Sequence, residues 1–184
     1  LGAKDVCTNV EIEQIVRILG LELGREYTAE YAAKHLRYGR VVFLTDQDLD
    51  GDHIKGLGIN LFHVLWPSLM QLPGFICTMH PPLIKVTHGA KVEQFYTAQA
   101  YEAWSLAHAS PKHKVKYYKG LGTSTSTEWK EYIGNMRIIS FCDTEAAGDR
   151  IDMMFNKKRA DERKVSLMNY DPKSVLDFES ASIG

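Results

Sequence analysis

Apolar positions recur along the chain with two different periods. Ile12, Ile15, Val16 and Leu19 fall on one helix face, with Asn9 as a cap and Gly20 or Gly24 as a stop. Thr28 can cap a second helix, from Ala29 to Leu36. Val41, Val42, Phe43 and Leu44 form an unbroken apolar run bounded by polar residues, the pattern of a short buried parallel strand. From Ile54 to Met70, one stripe of Ile54, Leu57, Leu61, Leu65 and Leu69 is joined by Ile59, Phe62 and Trp66. This predicts a buried helix capped by Asp50 or Asp52, with Pro73 and Gly74 ending that unit.

Beyond it, Phe75 to Met79 reads as a strand and Pro81-Pro82 as a turn. Leu83 to Thr87 and Lys91 to Thr97 read as a hairpin around His88-Gly89-Ala90, and Thr97 can cap a helix carrying Tyr101 and Trp104. The stretch of about 83–112 is expected to be an insertion in an α/β core. Lys114 to Tyr117 alternates as a strand with a basic face. Thr125 and Glu128 fit a capping box opening a helix through Met136. Ile138 to Cys142 is expected to be the last strand. Thr144 to Arg163 reads as one or two helices, and the tail from Asn169 as loosely structured. The fold class is α/β, a parallel sheet flanked by helices.

At 184 residues the chain fits one sizeable domain, or one domain and a piece of another. The 22 basic and 23 acidic side chains nearly cancel, so any nucleic-acid surface must be local. Cys7, Cys77 and Cys142 are odd in number and widely spaced, which fits free or buried thiols in a reducing compartment better than a disulfide frame or a zinc site. Lys55, Asn60 and His63 interrupt the longest apolar stretch, which is therefore no membrane span. A chain starting at Leu1 is expected to be an excised piece of a longer protein.

The chemistry concentrates in RVVFLTDQDLDGDHIKG, Arg40 to Gly56. Asp46, Asp48 and Asp50 end the strand two residues apart, so their three carboxylates are expected to share one face. Neighbouring carboxylates at roughly 6–7 Å would repel by about 2–3 kcal/mol at an effective dielectric near 20. A divalent cation would relieve this, and Mg²⁺ commonly takes one or two carboxylates together with phosphate oxygens. Other readings remain open here. An EF-hand loop matches at six positions, but its twelfth is Leu57 instead of Glu. A haloacid-dehalogenase-like phosphatase fits Asp48-Leu49-Asp50-Gly51 but wants Thr or Val where Asp52 stands. A solvated acidic turn needs no metal.

The second informative stretch is PKHKVKYYKGLGTSTSTEWKEY, Pro111 to Tyr132. A lysine beside free amides at a helix start can receive a phosphate. An ordinary strand–turn–helix joint has the same look, and no Walker A pattern is present. The cluster Lys157, Lys158, Arg159, Arg163 and Lys164 reads alone as a solvated helix face. The histidines show no ligand spacing, and Trp66 and Trp104 are most simply core.

Together, LRYGRVVFLTDQDLDGDHIKGLGINLFHVLWPSL and KVKYYKGLGTSTSTEWKEY closely resemble the eukaryotic type IIA DNA topoisomerases, over about Val10 to Lys164. The resemblance implies a Toprim-like sheet, with residues 1–137 a partial Toprim domain and 138–184 a helical connection toward a winged-helix domain. It implies Mg²⁺ held by Asp46, Asp48 and Asp50, with Mn²⁺ or Ca²⁺ able to substitute in binding. Asp46 would be the shared ligand, Asp48 chiefly that of a second ion, and Asp50 a supporting one. Lys119 would give electrostatic support to the chemistry. Lys114, Lys119, Gly120, Lys157, Lys158, Arg163 and Lys164 would contact the DNA backbone. The reaction implied is reversible transfer of a DNA phosphodiester to a tyrosine outside this chain. ATP would act at a domain absent here. The parent is expected to be a homodimer acting on duplex DNA in the nucleus, or in a DNA-containing organelle, with no membrane role, and this piece alone is expected to be inactive. Two features depart from the family: Asp52 stands where Ser is expected, and the segment after Met136 is more apolar than the basic run expected there. A phosphatase and a non-catalytic DNA-binding module are the alternatives.

Overall fold

A computed structural model describes residues 8–108, 113–141, 144–170 and 182–183. In chain order the elements are α1 (Val10–Leu19), α2 (Ala29–His35), β1 (Val41–Phe43), α3 (Leu49–Leu65), α4 (Pro67–Met70), β2 (Ile76–Met79), β3 (Ile84–His88), β4 (Lys91–Phe95), α5 (Ala98–Ala107), β5 (Lys114–Tyr117), α6 (Ser126–Gly134), β6 (Ile138–Phe141), α7 (Glu145–Phe155), α8 (Ala160–Met168) and β7 (Ser182–Ile183). Single 3₁₀ turns cover Leu121–Thr123 and Lys157–Arg159. Two compact units result: one comprises residues up to 43 with 56–78 and 139 onward, the other residues 44–55 and 79–138.

The first unit carries a four-stranded sheet in the order β1-β2-β6-β7, with β1 parallel to β2 and β6 parallel to β7. The mixed α/β expectation holds. Its core joins Leu19, Leu21, Tyr27, Leu61, Phe62 and Trp66 with Leu69, Met70, Phe75 and Ile76. Burial of Trp66 is complete, and its indole N–H donates to the Glu22 carbonyl at 2.9 Å, so the one polar atom of the side chain is satisfied. The predicted caps Asn9 and Thr28 both accept from backbone amides, and Gly20 ends α1 in the left-handed conformation at φ 76°. Buried Cys77 is a free thiol, as expected, with Sγ donating to the Gly74 carbonyl at 3.3 Å; Cys7 and Cys142 lie outside the described residues.

The second unit holds a three-stranded antiparallel sheet in the order β4-β3-β5. The predicted hairpin is there, and β5 pairs with β3. The basic strand and the supposed insertion are thus one sheet. Thr97 caps α5, whose Trp104 lies 5.5 Å from the ring of Phe95 in β4.

Four expectations need correction. The predicted helix Ile54–Met70 starts five residues earlier, at Leu49, because Asp48 and not Asp50 or Asp52 supplies the capping carboxylate. It breaks at Trp66, because Pro67 has no N–H to continue the ladder and opens α4 as its first residue. Nor is α3 buried all round: Ile54, Leu57 and Val64 are exposed. Finally, β6 is not the last strand, since β7 pairs with it.

Candidate active-site acids and the glycine turn

The acids, the glycine turn and the residues that support it lie in the second unit. The acids do not continue a strand. β1 ends at Phe43, and by Leu49 the backbone is helical, so the expectation of three carboxylates on one extended face is wrong for Asp50, which sits in the first turn of α3. The reason is local. The Asp48 carboxylate accepts the Gly51 N–H at 2.8 Å, and the Asp52 N–H donates to the Asp48 carbonyl at 3.0 Å, together starting the helix. Gly51 is required for this close turn: a Cβ there would lie 2.0 Å from the carbonyl oxygen of Asp46.

Asp46 reaches a different partner. Its carboxylate accepts the backbone N–H of Leu121 at 2.7 Å, across 75 residues of sequence. Gly120 precedes that amide, and a Cβ there would meet both Asp46 carboxylate oxygens at 3.4 Å. The acidic motif and the glycine motif, legible separately, meet at this bond. Lys119 is exposed, and among the described residues it has no ion pair. Gln47 adds a further tie, its side-chain amide donating to the Pro81 carbonyl.

Asp52 pairs with Lys55 at 2.7 Å. His80 is held down to about 4, first by burial and then by Lys55 and Arg137, against the opposing pull of Asp52. It is therefore neutral at pH 7, and Lys55 and Arg137 carry the positive charge around it.

The glycine turn is supported by a network that sequence reading only half found. The capping box of Thr125 and Glu128 forms as predicted. Glu128 does more than cap. Its carboxylate accepts from the Thr125 N–H at 2.8 Å, the Thr125 hydroxyl at 3.1 Å and the Tyr118 hydroxyl. Lys85 and Lys116 each approach it to 3.4 Å. These two lysines are direct cross-strand partners on β3 and β5, an arrangement of like charges that is unfavourable without an acid beside it. Lys85, buried, also lies 4.6 Å from the centre of the Tyr132 ring. No local sequence signal gives this role, because it depends on the pairing of Lys85 with Lys116 across two strands.

Burial favours the neutral form of Glu128, but the Thr125 amide, the two hydroxyls and Lys85 outweigh it and hold the carboxyl at about 2, below its ordinary 4.5. A carboxyl lowered on folding stabilises the fold above its unfolded value and loses that contribution as pH falls through the folded one. Glu128→Gln is therefore expected to flatten the acid destabilisation of this unit between about pH 4.5 and 2. Hydrogen exchange of α6 amides across that window measures it; equal slopes in both proteins would contradict the assignment.

The basic cluster, in the first unit, divides by role. Arg159 is clamped by Asp149 at 2.7 Å, Asp152 at 3.1 Å and Glu162 at 2.7 Å. Arg163 donates to the carbonyls of Met153 and Met154, closing the C-terminal end of α7. Lys164 pairs with Asp161 one turn away, at 3.0 Å. Lys157 and Lys158 are exposed, as is Lys114 in the second unit.

Whether these residues suit a divalent ion can be judged from their donors. Among the described residues no three of His, Cys, Asp and Glu converge in a way that could hold a metal. Asp46 and Asp48 each commit a carboxylate oxygen to a backbone amide, and each is exposed. Two hard oxygen donors of this kind match the modest protein share of Mg²⁺ coordination, in which water and phosphate supply the rest. The donor set fits.

No helix among the described residues is long and apolar enough to cross a membrane. The family model described as the C-terminal associated domain of TOPRIM matches residues 79–184. DNA topoisomerase 2 of Pisum sativum is 42% identical over 99% of this chain and 13% of that protein. A putative mitochondrial DNA topoisomerase 2 of Caenorhabditis elegans is 43% identical over 85% of this chain and 13% of its own length. The crystal structure of the Plasmodium falciparum topoisomerase II DNA-binding, cleavage and re-ligation domain matches with a TM-score of 0.92 at 40% identity, covering 100% of this chain and 25% of that one. The chain thus spans about 13% of the length of the curated relatives it matches. On the residues matched and the likeness along nearly its full length, the chain belongs to the family of the C-terminal associated domain of TOPRIM, in the form found in DNA topoisomerase 2 proteins.

Proposed function

We propose that the full-length protein carrying this chain is an ATP-dependent type II DNA topoisomerase, and that this stretch supplies acids and backbone contacts to its cleavage–religation core. The observation that carries the reading is the Leu121 N–H to Asp46 hydrogen bond, which joins the acidic motif to the glycine turn. Asp46 and Asp48 would hold Mg²⁺, with Asp50 in support; a bound ion would supply positive charge to offset the negative charge on the phosphodiester and on the departing 3′-oxygen.

The chain's own groups do the rest. The Leu121 amide fixes one Asp46 oxygen and leaves the other available. Lys119, exposed beside that turn, attracts the DNA phosphate, as does Lys114 on β5. Lys157 and Lys158 act on the duplex backbone without reading bases. Arg163, assigned to DNA from the resemblance, donates to the end of α7, so its contribution to DNA contact comes second to holding that end. Exposed Lys164, paired only with Asp161 of its own helix, acts on the duplex backbone with Lys157 and Lys158. The winged-helix domain, the nucleophilic tyrosine and the ATP site belong to parts of the parent outside this chain, which acts as a homodimer on duplex DNA in the nucleus or an organelle. Within the chain, 1–137 is assigned to the partial Toprim domain and 138–184 to the connection.

The full-length protein is expected to relax supercoiled plasmid with ATP and Mg²⁺, to form a covalent protein–DNA linkage, and to lose both on chelation. Release of phosphate from a simple phosphomonoester, with plasmid untouched, would instead establish the phosphatase alternative. Lys157→Ala with Lys158→Ala should reduce the slope of log affinity for duplex DNA against log salt by about 0.9 per lysine. An unchanged slope removes this pair from the DNA face.

A further inference from the structure

Glu128 stands outside the acids, yet it bonds to both ends of the turn that holds Asp46. Tyr118 lies two residues before Gly120, and Thr125 two residues after Thr123. One carboxylate accepts from the Tyr118 hydroxyl on the near side and from the Thr125 amide and hydroxyl on the far side. Between these anchors the turn closes on itself through the Thr123 N–H to the Gly120 carbonyl, 3.0 Å, and the Ser124 N–H to the Leu121 carbonyl, 3.4 Å. The amide that meets Asp46 projects from the middle of this segment. Lys85 and Lys116 each lie 3.4 Å from the same carboxylate.

From this we infer that Glu128 is a positioning residue: it staples the two ends of the glycine turn and so fixes where the Leu121 amide holds the Asp46 carboxylate. The inference rests on the metal-ligand role given to Asp46 above and deepens it. A ligand carboxylate is aimed by the hydrogen bond on its other oxygen, and losing such a direct partner typically changes metal affinity by 10–100-fold, which sets the upper range for a residue acting one step further out. Glu128 acts on the ion only through Leu121 and Asp46. A neighbour on the same helix, Glu131, also meets Lys85, at 3.7 Å, but bonds to Gln94 and to neither end of the turn.

The test uses the full-length protein without DNA. Hydrogen exchange of the peptide spanning residues 119–125 and calorimetric titration with Mn²⁺ are compared for wild type, Glu128→Gln, Glu131→Gln and Asp46→Asn. Glu128→Gln is expected to speed exchange in the turn and to weaken Mn²⁺ binding about tenfold, while residues 129–134 of α6 stay protected. Glu131→Gln should match wild type in both. Should Glu128→Gln unfold α6, Tyr118→Phe removes only the near-side bond and should shift both readouts in the same direction by less. Wild-type exchange and wild-type Mn²⁺ affinity in both Glu128→Gln and Tyr118→Phe would overturn the staple. Mn²⁺ binding unchanged in Asp46→Asn would instead overturn the ligand role of Asp46, and turn exchange would still decide whether the staple exists.

Discussion

Asp46→Ala in the full-length protein is expected to abolish DNA strand cleavage and leave the fold intact. A bound metal contributes several kcal/mol to stabilising charge at a transferring phosphate, so losing its ligand should lower the cleavage rate by roughly a thousandfold or more. The fold should survive because Asp46 is exposed and Leu121, half-buried, can turn its amide to water. Asp46→Asn sharpens the argument. Its amide oxygen can still accept from Leu121, so the turn keeps its tie and only the charge is removed. Comparable loss in both variants assigns the effect to the charge; loss in Asp46→Ala alone assigns it to the hydrogen bond. Normal cleavage by both would contradict the proposed function.

The second large effect is expected at Gly51. A methyl group placed there would sit 2.0 Å from the Asp46 carbonyl oxygen, well inside contact distance. The obstructing atom is backbone and cannot swing aside as a side chain could. Gly51→Ala must therefore unwind the first turn of α3 or push Asp46 away from Leu121. Overpacking and backbone strain of this kind cost about 3 kcal/mol. A displacement of about 1 Å at a catalytic group can lower the rate by 100-fold. Denaturant unfolding and plasmid cleavage together measure both consequences. Wild-type stability with wild-type cleavage would mean that the backbone at Asp46 and Gly51 does not approach as closely as described.

The two predicted losses share a cause that the sequence showed only in pieces. Asp46, Asp48 and Gly51 were legible as one motif and Gly120 as part of another, because acids and glycines at short spacing carry chemistry and backbone constraint. Periodicity also located most elements, including the caps at Asn9, Thr28, Thr97 and Thr125, since a capping hydroxyl or amide followed by an apolar stripe is a local signal. What escaped was set by competition or by distance. Asp48 could continue a strand or cap a helix, and a spacing of two residues does not choose between them; the Gly51 amide does. The strand pairing of Lys85 with Lys116 and the convergence of both on Glu128 depend on residues 31, 43 and 12 apart in sequence. Arg163 was expected to be a DNA contact from the family resemblance alone, and its tertiary partners at the end of α7 were invisible in the string of letters.

The unequal use of the basic residues also bears on mutant design. Neutralising Arg159 removes partners from Asp149, Asp152 and Glu162 together, so weakened DNA binding by that variant would mix structural and electrostatic loss. Lys157 and Lys158 avoid the difficulty because they are exposed. They are the better probes of duplex contact.

One measurement reaches the centre of this account: anomalous scattering from Mn²⁺ in crystals of the DNA-bound cleavage core. The ion should appear about 2.1 Å from an Asp46 carboxylate oxygen, with the other oxygen of Asp46 still on the Leu121 amide. An ion bound away from Asp46, or a Leu121 amide directed elsewhere, would contradict it.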